Sequence, residues 1–285
     1  MSSSQPIATA PSVLYDVRDG VALITWNRPE RSNAWTPEME ARYFAHLREA
    51  NASPEVRVIV VTGAGKNFCP GMDTDFLSAS SNGTREFDPE LREPQTVPTT
   101  IKKPIVTAIH GACAGTGLIQ ASMSDVRFVE ADARVTAAFP RRGILAEHGL
   151  SVLLPELVGW AHATDILLSG RVLSGEEVSQ MGFAKLSRPG QALADALAYA
   201  QDIADNCSPQ ALAVAKDQLW STLREPMETA RQEAIALWST MRDHSDFKEG
   251  VASFVERRKP RFAPLGPDEL RAVEELWAQS KEKIQ

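Results

Sequence analysis

The chain has 285 residues, 43% apolar and 24% charged, which suits a globular protein long enough for one large domain or a core with an extension. Thirty basic against 37 acidic side chains leave a formal charge of −7, which argues against nonspecific affinity for nucleic acid or anionic membranes. Cys69, Cys113 and Cys207 are odd in number and widely spaced, so neither a disulfide framework nor a metal site is expected, and a reducing cytoplasm is the expected compartment.

Met1 to Pro11 is Ser/Ala-rich, lacks a basic start and an apolar core, and reads as a disordered tail (residues 1–11). No apolar run is long enough to span a bilayer. Val21 to Trp26 is a compact apolar run closed by Asn27-Arg28-Pro29, the pattern of a buried strand entering a turn. Thr36-Pro37 opens a helix, with Thr36 as its cap and Met39, Tyr43, Phe44 and Leu47 as its apolar face. Val56 to Val61 and Ile105 to Ile109 predict further strands, and Val126 to Val129 and Val135 to Ala138 two short ones. Ser78 to Pro98, polar and punctuated by Pro and Gly, reads as a mobile loop. Ser174 and Glu177 have capping-box spacing. After a break at Asn206-Cys207, Ser208-Pro209 starts a region read as mostly helix to the end of the chain. Strands alternating with helices imply an α/β fold with buried sheets.

Two glycine-rich turns follow strands: Phe68-Cys69-Pro70-Gly71-Met72-Asp73, and His110 to Gly117 with Gly111, Gly115 and Gly117. Small residues let backbone approach a ligand, and two N–H groups aimed at one oxygen would stabilise an oxyanion. Glycines after strands also serve as plain chain reversals, so the turns alone leave both readings open. Neither turn is a Walker A loop or a clean dinucleotide fingerprint.

Five segments, taken in order, resemble the crotonase (enoyl-CoA hydratase/isomerase) family: Trp26 to Ala34, Val58 to Asp73, Lys103 to Asp125, Leu167 to Phe183, and Asp246 to Phe262. The resemblance implies a crotonase/ClpP-like spiral of ββα units over residues 12–206. It further implies a helical C-terminal trimerisation region over 207–285, and a homotrimer or dimer of trimers. The substrate it implies is an acyl-CoA thioester, with coenzyme A entering as part of that substrate and no separate cofactor. By the same resemblance the oxyanion donors are the N–H groups of Met72 and Thr116. Thr116 stands where the family usually has Gly, so the hole survives only if the backbone there avoids positive φ. Asn33, Ala34, Phe68, Gly71, Asp73 and Gly115 would line the CoA groove, and Lys259 and Phe262 match C-terminal positions that contact CoA in some members.

The acids depart from the hydratase pattern. The two hydratase glutamates map to Ile119 and Phe139, neither of which transfers a proton. Glu147 matches the position where isomerases of the family carry an Asp or Glu that moves a proton between C2 and C4, and His148 is its neighbour. The expectation is double-bond isomerisation of an enoyl-CoA through an enolate, with Glu147 as shuttle and His148 assisting. Three alternatives stand beside it: a hydratase with atypical acids, a CoA-ester hydrolase or carbon–carbon lyase, and a non-catalytic acyl-CoA-binding protein.

Overall fold

The apolar runs read from the sequence become the sheet that positions everything else. In the computed structural model, which describes residues 10–81, 92–266, 269–273, 275, 277 and 278, β1 (Val13–Arg18), β2 (Val21–Trp26), β3 (Val58–Gly63), β4 (Ile105–Ile109), β6 (Val126–Glu130) and β9 (Lys185–Ser187) form a six-stranded sheet in that order. Only the β1–β2 pair is antiparallel. A smaller sheet joins β5 (Ala112–Ala114), β7 (Arg134–Thr136) and β8 (Leu173–Ser174). The chain thus places a strand in the large sheet, one in the small sheet, then a helix. β4 and β5 followed by α3 (Thr116–Ser122) show this, and it is the expected ββα spiral.

The two faces of the large sheet explain why its strands are apolar throughout. β3 is buried at every position, as a strand covered on both sides must be. On one side, α7 (Ala192–Asn206) lays down Ala192, Ala196, Ala200 and Ala204, a four-residue stripe small enough to bring the helix close to Val58, Val60 and Val106. On the other side lie α1 (Pro37–Ala52) and an aromatic cluster in which Trp26, Trp35 and Tyr43 meet edge to face at 5.2–5.8 Å. Each such pair is worth roughly 0.5–1.5 kcal/mol beyond its buried area. Thr36 caps α1 by accepting from the Met39 N–H at 3.2 Å, as expected.

The remaining helices are α2 (Thr74–Ser81), α4 (Leu150–Val158), α5 (Trp160–Ser169), α6 (Gly175–Gln180), α8 (Pro209–Asp243) and α9 (Ser245–Val255). Ser174 and Glu177 cap α6 reciprocally. Gly250 lets α9 press against the turn at Pro140–Arg142: a Cβ there would lie 2.4 Å from the Arg142 carbonyl carbon.

The structure differs from the expectations at two places. β1 was not foreseen, although Asp19-Gly20, with φ of 48° and 83°, makes a turn whose twist suits a hairpin. Ser78 to Pro98 is not one loop: α2 runs to Ser81, Val97–Thr100 is a 3-10 turn with Val97, Pro98 and Thr99 buried, and residues 82–91 lie outside the described residues. The C-terminal region is mostly helix over its described residues, as expected, with residues 259–266 after α9 outside regular structure. Of the proposed tail, residues 1–9 also lie outside the described residues.

Candidate active site

The two glycine turns come together. Cys69 and Cys113 form a parallel bridge, with Cys69 N–H donating to Ala112 O and Ala114 N–H to Cys69 O, each at 2.9 Å. Gly71 (φ 102°) and Gly115 (φ 48°) then face one another so closely that a Cβ on either would lie 3.6 Å from the other's Cα. Gly117 is equally constrained, since a Cβ there would lie 2.3 Å from Cys69 O.

The residues after the two facing glycines are Met72 and Thr116. Neither N–H donates to a described residue. Met72 is held in place because Trp35 N–H donates to Gly71 O at 2.8 Å and Asp73 N–H to Trp35 O at 3.0 Å. Thr116 opens α3, where the first N–H groups have no intrahelical acceptor and the helix dipole favours negative charge. Its φ is not positive, so threonine costs nothing at this position. Two spare donors set side by side are what an oxyanion requires.

A cavity of about 550 Å³ opens over them. Met72, Gly71, Thr116, Gly115, Ala34, Glu147 and His148 all line it, so seven of the residues singled out in the sequence meet in one space. Among the described lining residues Glu147 is the sole carboxylate. It is half-buried in the segment leading into α4, and burial raises its carboxyl to about 7, against a smaller opposing effect of the Arg92 charge. His148 moves the opposite way. Burial, then the charges of Arg92 and Arg231, push its imidazole down to about 3, so it is neutral near pH 7. Its φ of 57° lies in the left-handed region, where non-glycine residues are uncommon and often functional.

Most of the other candidates do not line this cavity. Asn33 is fully buried and does not line the cavity; it accepts from Arg28 N–H at 2.8 Å and donates to Ala64 O and Asn67 O at 2.8 and 2.7 Å, tying the first turn together. Phe68 is in the aromatic core against Trp26. Asp73 is paired with Arg28 and Arg31 at 3.2 and 2.9 Å. Burial alone would raise its carboxyl, but hydrogen bonds from Arg31, the Asp75 N–H and Arg28 outweigh that and hold it below the usual range. Lys259 lines an adjoining basic cleft with Arg141, Arg142, Arg257 and Arg258, which shares Thr74, Arg142 and Phe254 with the cavity, and Phe262 is exposed and lines neither. Burial pushes the Cys69 thiol up to about 12, so it is no nucleophile at neutral pH. Glu156 is exposed. Ile119 is buried in α3 away from the cavity, whereas Phe139 forms part of its wall.

Sequence reasoning missed Arg92, Asn67 and Ser80. Arg92 lines the cavity and is anchored from behind by Glu40, a buried carboxylate of α1 that also accepts from Trp35 Nε1 at 2.9 Å and Gln95 Nε2 at 2.6 Å. A charged residue on a helix face that is otherwise apolar was the available signal for Glu40. Nothing local pairs it with a residue 52 positions away. No helix among the described residues is long and apolar enough to cross a membrane, and no group of three or more metal-ligating side chains occurs among them.

The chain is similar in sequence and in fold to known proteins. The enoyl-CoA hydratase/isomerase family model matches residues 16–264. An (E)-benzylidenesuccinyl-CoA hydratase from Thauera aromatica is 33% identical over 261 residues, covering 88% of this chain and 98% of that protein. A 1,2-epoxyphenylacetyl-CoA isomerase from Escherichia coli (strain K12) is 28% identical, covering 88% and 97%. The crystal structure of an enoyl-CoA hydratase/isomerase from Pseudoalteromonas atlantica T6c matches with a TM-score of 0.79 at 27% identity, covering 88% of this chain and all of that one. Agreement over nearly the whole chain, in sequence and in architecture, makes this protein a member of the enoyl-CoA hydratase/isomerase family.

Proposed function

We propose that this enzyme moves a double bond in an enoyl-CoA, using the Met72 and Thr116 N–H groups to hold a thioester enolate and Glu147 to carry the proton. The observation that supports it most is the raised Glu147 carboxyl on the same cavity as two uncommitted N–H donors. A thioester α-proton is too weakly acidic for an ordinary carboxylate in water. Each N–H on the carbonyl oxygen lowers the enolate barrier by roughly 3–4 kcal/mol. A carboxyl near 7 is half ionised at neutral pH, so it can accept the proton at one carbon and return it at another. With Ile119 and Phe139 in place of the two hydratase acids, only one acid serves the reacting carbons. Coenzyme A enters with the substrate, and the steps need no further cofactor. Neutral His148 beside Glu147 favours one second reading, in which Glu147 activates a water and the enoyl-CoA is hydrated; relatives named as hydratases support it.

The deciding experiment is mass spectrometry of a 3-enoyl-CoA in heavy water with wild type and Glu147→Gln. Deuterium uptake and double-bond migration without gain of water, lost in the variant, is the expected result. Gain of water selects hydration, and deuterium uptake undiminished in Glu147→Gln refutes Glu147 as the proton carrier. We also propose a homotrimer or dimer of trimers. Trp160 and Leu168 of α5 are 77% and 74% exposed, apolar surface that self-association would cover; light scattering reads the mass.

A further inference from the structure

Ser80 plays no part in the proton transfer above. It lies on the last turn of α2, is 7% exposed, and lines the cavity, yet its hydroxyl has no hydrogen-bond partner among the described residues. Folded proteins pair nearly all such groups, because a buried hydroxyl without a partner is costly. His148 is a second polar group on this cavity, partly buried. It lines the same cavity, is held in the left-handed region, and hydrogen-bonds to no described residue. A neutral imidazole offers one donor and one acceptor, and a hydroxyl offers both.

Much of the cavity wall is apolar, built by Phe76, Leu77, Phe139, Ile144, Trp238 and Phe247, with Arg92 and Arg142 as its cations on that side. Ser80 follows Phe76 and Leu77 on one helix face. It is six residues, or ~9 Å along the helix axis, beyond Thr74, and Thr74 follows the Met72–Asp73 loop directly. A thioester carbonyl seated on Met72 and Thr116 therefore leaves several bonds of acyl group before the Ser80 hydroxyl.

We propose that the cavity selects acyl-CoA thioesters whose acyl group is bulky and apolar but carries a hydroxyl or carbonyl oxygen remote from the thioester, which Ser80 and His148 hydrogen-bond. The proposal rests on the enolate reading in placing the thioester end. A substrate hydroxyl can donate to one of these groups and accept from the other, and a carbonyl can accept from both. A plain hydrocarbon chain would satisfy the apolar wall but exclude water from two polar groups that nothing then pairs. Sites built in this way discriminate strongly against the analogue lacking the oxygen.

The test uses a matched pair, trans-4-hydroxycyclohexylacetyl-CoA and cyclohexylacetyl-CoA, which differ by one oxygen and both have exchangeable α-protons. Calorimetric titration gives their affinities, and mass spectrometry in heavy water gives α-proton exchange. Wild type should bind the hydroxylated ester about tenfold more tightly or better. Ser80→Ala should cut that preference at least threefold without weakening cyclohexylacetyl-CoA, and its Tm should not fall, because the change removes an unpaired buried group. Equal affinity for the two esters, binding of neither, or an unchanged preference in Ser80→Ala overturns the proposal. A preference without α-proton exchange overturns the enolate reading alone, and exchange with equal affinities overturns this proposal alone.

Discussion

Replacing Glu147 by glutamine keeps the size of the side chain and removes its charge, so it separates the chemistry of this group from its cost. In the folded protein burial raises the carboxyl from its ordinary 4.5 to about 7. The native state therefore retains a proton that the unfolded chain has already released across that window. Stability is lost as pH rises from 4.5 to about 7, and above that the full penalty applies. A change of this size corresponds to roughly 3 kcal/mol. Glutamine has no charge to desolvate. Glu147→Gln should thus be more stable than wild type by up to about 3 kcal/mol at about pH 8, raising Tm by roughly 6–10 °C, and no more stable at about pH 4. The same variant should lose about 10²–10⁴-fold in α-proton exchange, the usual worth of a positioned general base. In wild type, exchange should rise with pH and level off above about 7, where the carboxylate predominates. Scanning calorimetry at the two pH values and deuterium uptake across the range read both effects. Equal stability at high pH would refute the desolvation argument, and undiminished exchange would refute the assignment of Glu147 as the base.

Thr116→Pro removes one of the two proposed oxyanion donors at the first position of a helix, where proline is tolerated, and Gly115 before it can accept the restriction proline imposes; kcat should fall roughly 10²–10³-fold with an unchanged circular dichroism spectrum. His148 contributes in the opposite sense to Glu147. Its imidazole is depressed from 6.5 to about 3, so stability is present above 6.5 and lost as pH falls toward 3. His148→Asn, which tolerates the left-handed backbone, should flatten that acid loss, by roughly 3 kcal/mol at most near pH 4, in urea denaturation. Glu40→Gln takes from Arg92 its buried carboxylate partner and should cost about 3–5 kcal/mol, read as a lower urea midpoint.

Much of the fold follows from local pattern. The strands at Val21–Trp26 and Ile105–Ile109 appear with the boundaries their apolar runs suggest, because residues buried on both faces cannot tolerate polar interruption. The caps at Thr36 and Ser174 were legible for a similar reason: an orphaned helix N–H needs a short side-chain oxygen at one fixed position. The glycine turns could be picked out as well, since positive φ and close backbone approach restrict residue choice locally, whereas Glu147 was picked out by its place in the family resemblance. By itself, then, the sequence determined the alternating strands and helices and, through the family resemblance, pointed to the spiral, to the candidate N–H donors and to the candidate acid. It did not determine which polar groups share a space. Asn33 and Asp73 sit inside recognisable motifs, yet tertiary contacts with Arg28, Arg31, Ala64 and Asn67 commit them to the scaffold. Arg92 and Ser80 lie in a stretch without a clear pattern, yet packing brings both to the cavity wall. The raised carboxyl of Glu147 and the neutral imidazole of His148 are likewise products of the tertiary structure, because desolvation depends on what surrounds a group in space and not on its neighbours along the chain.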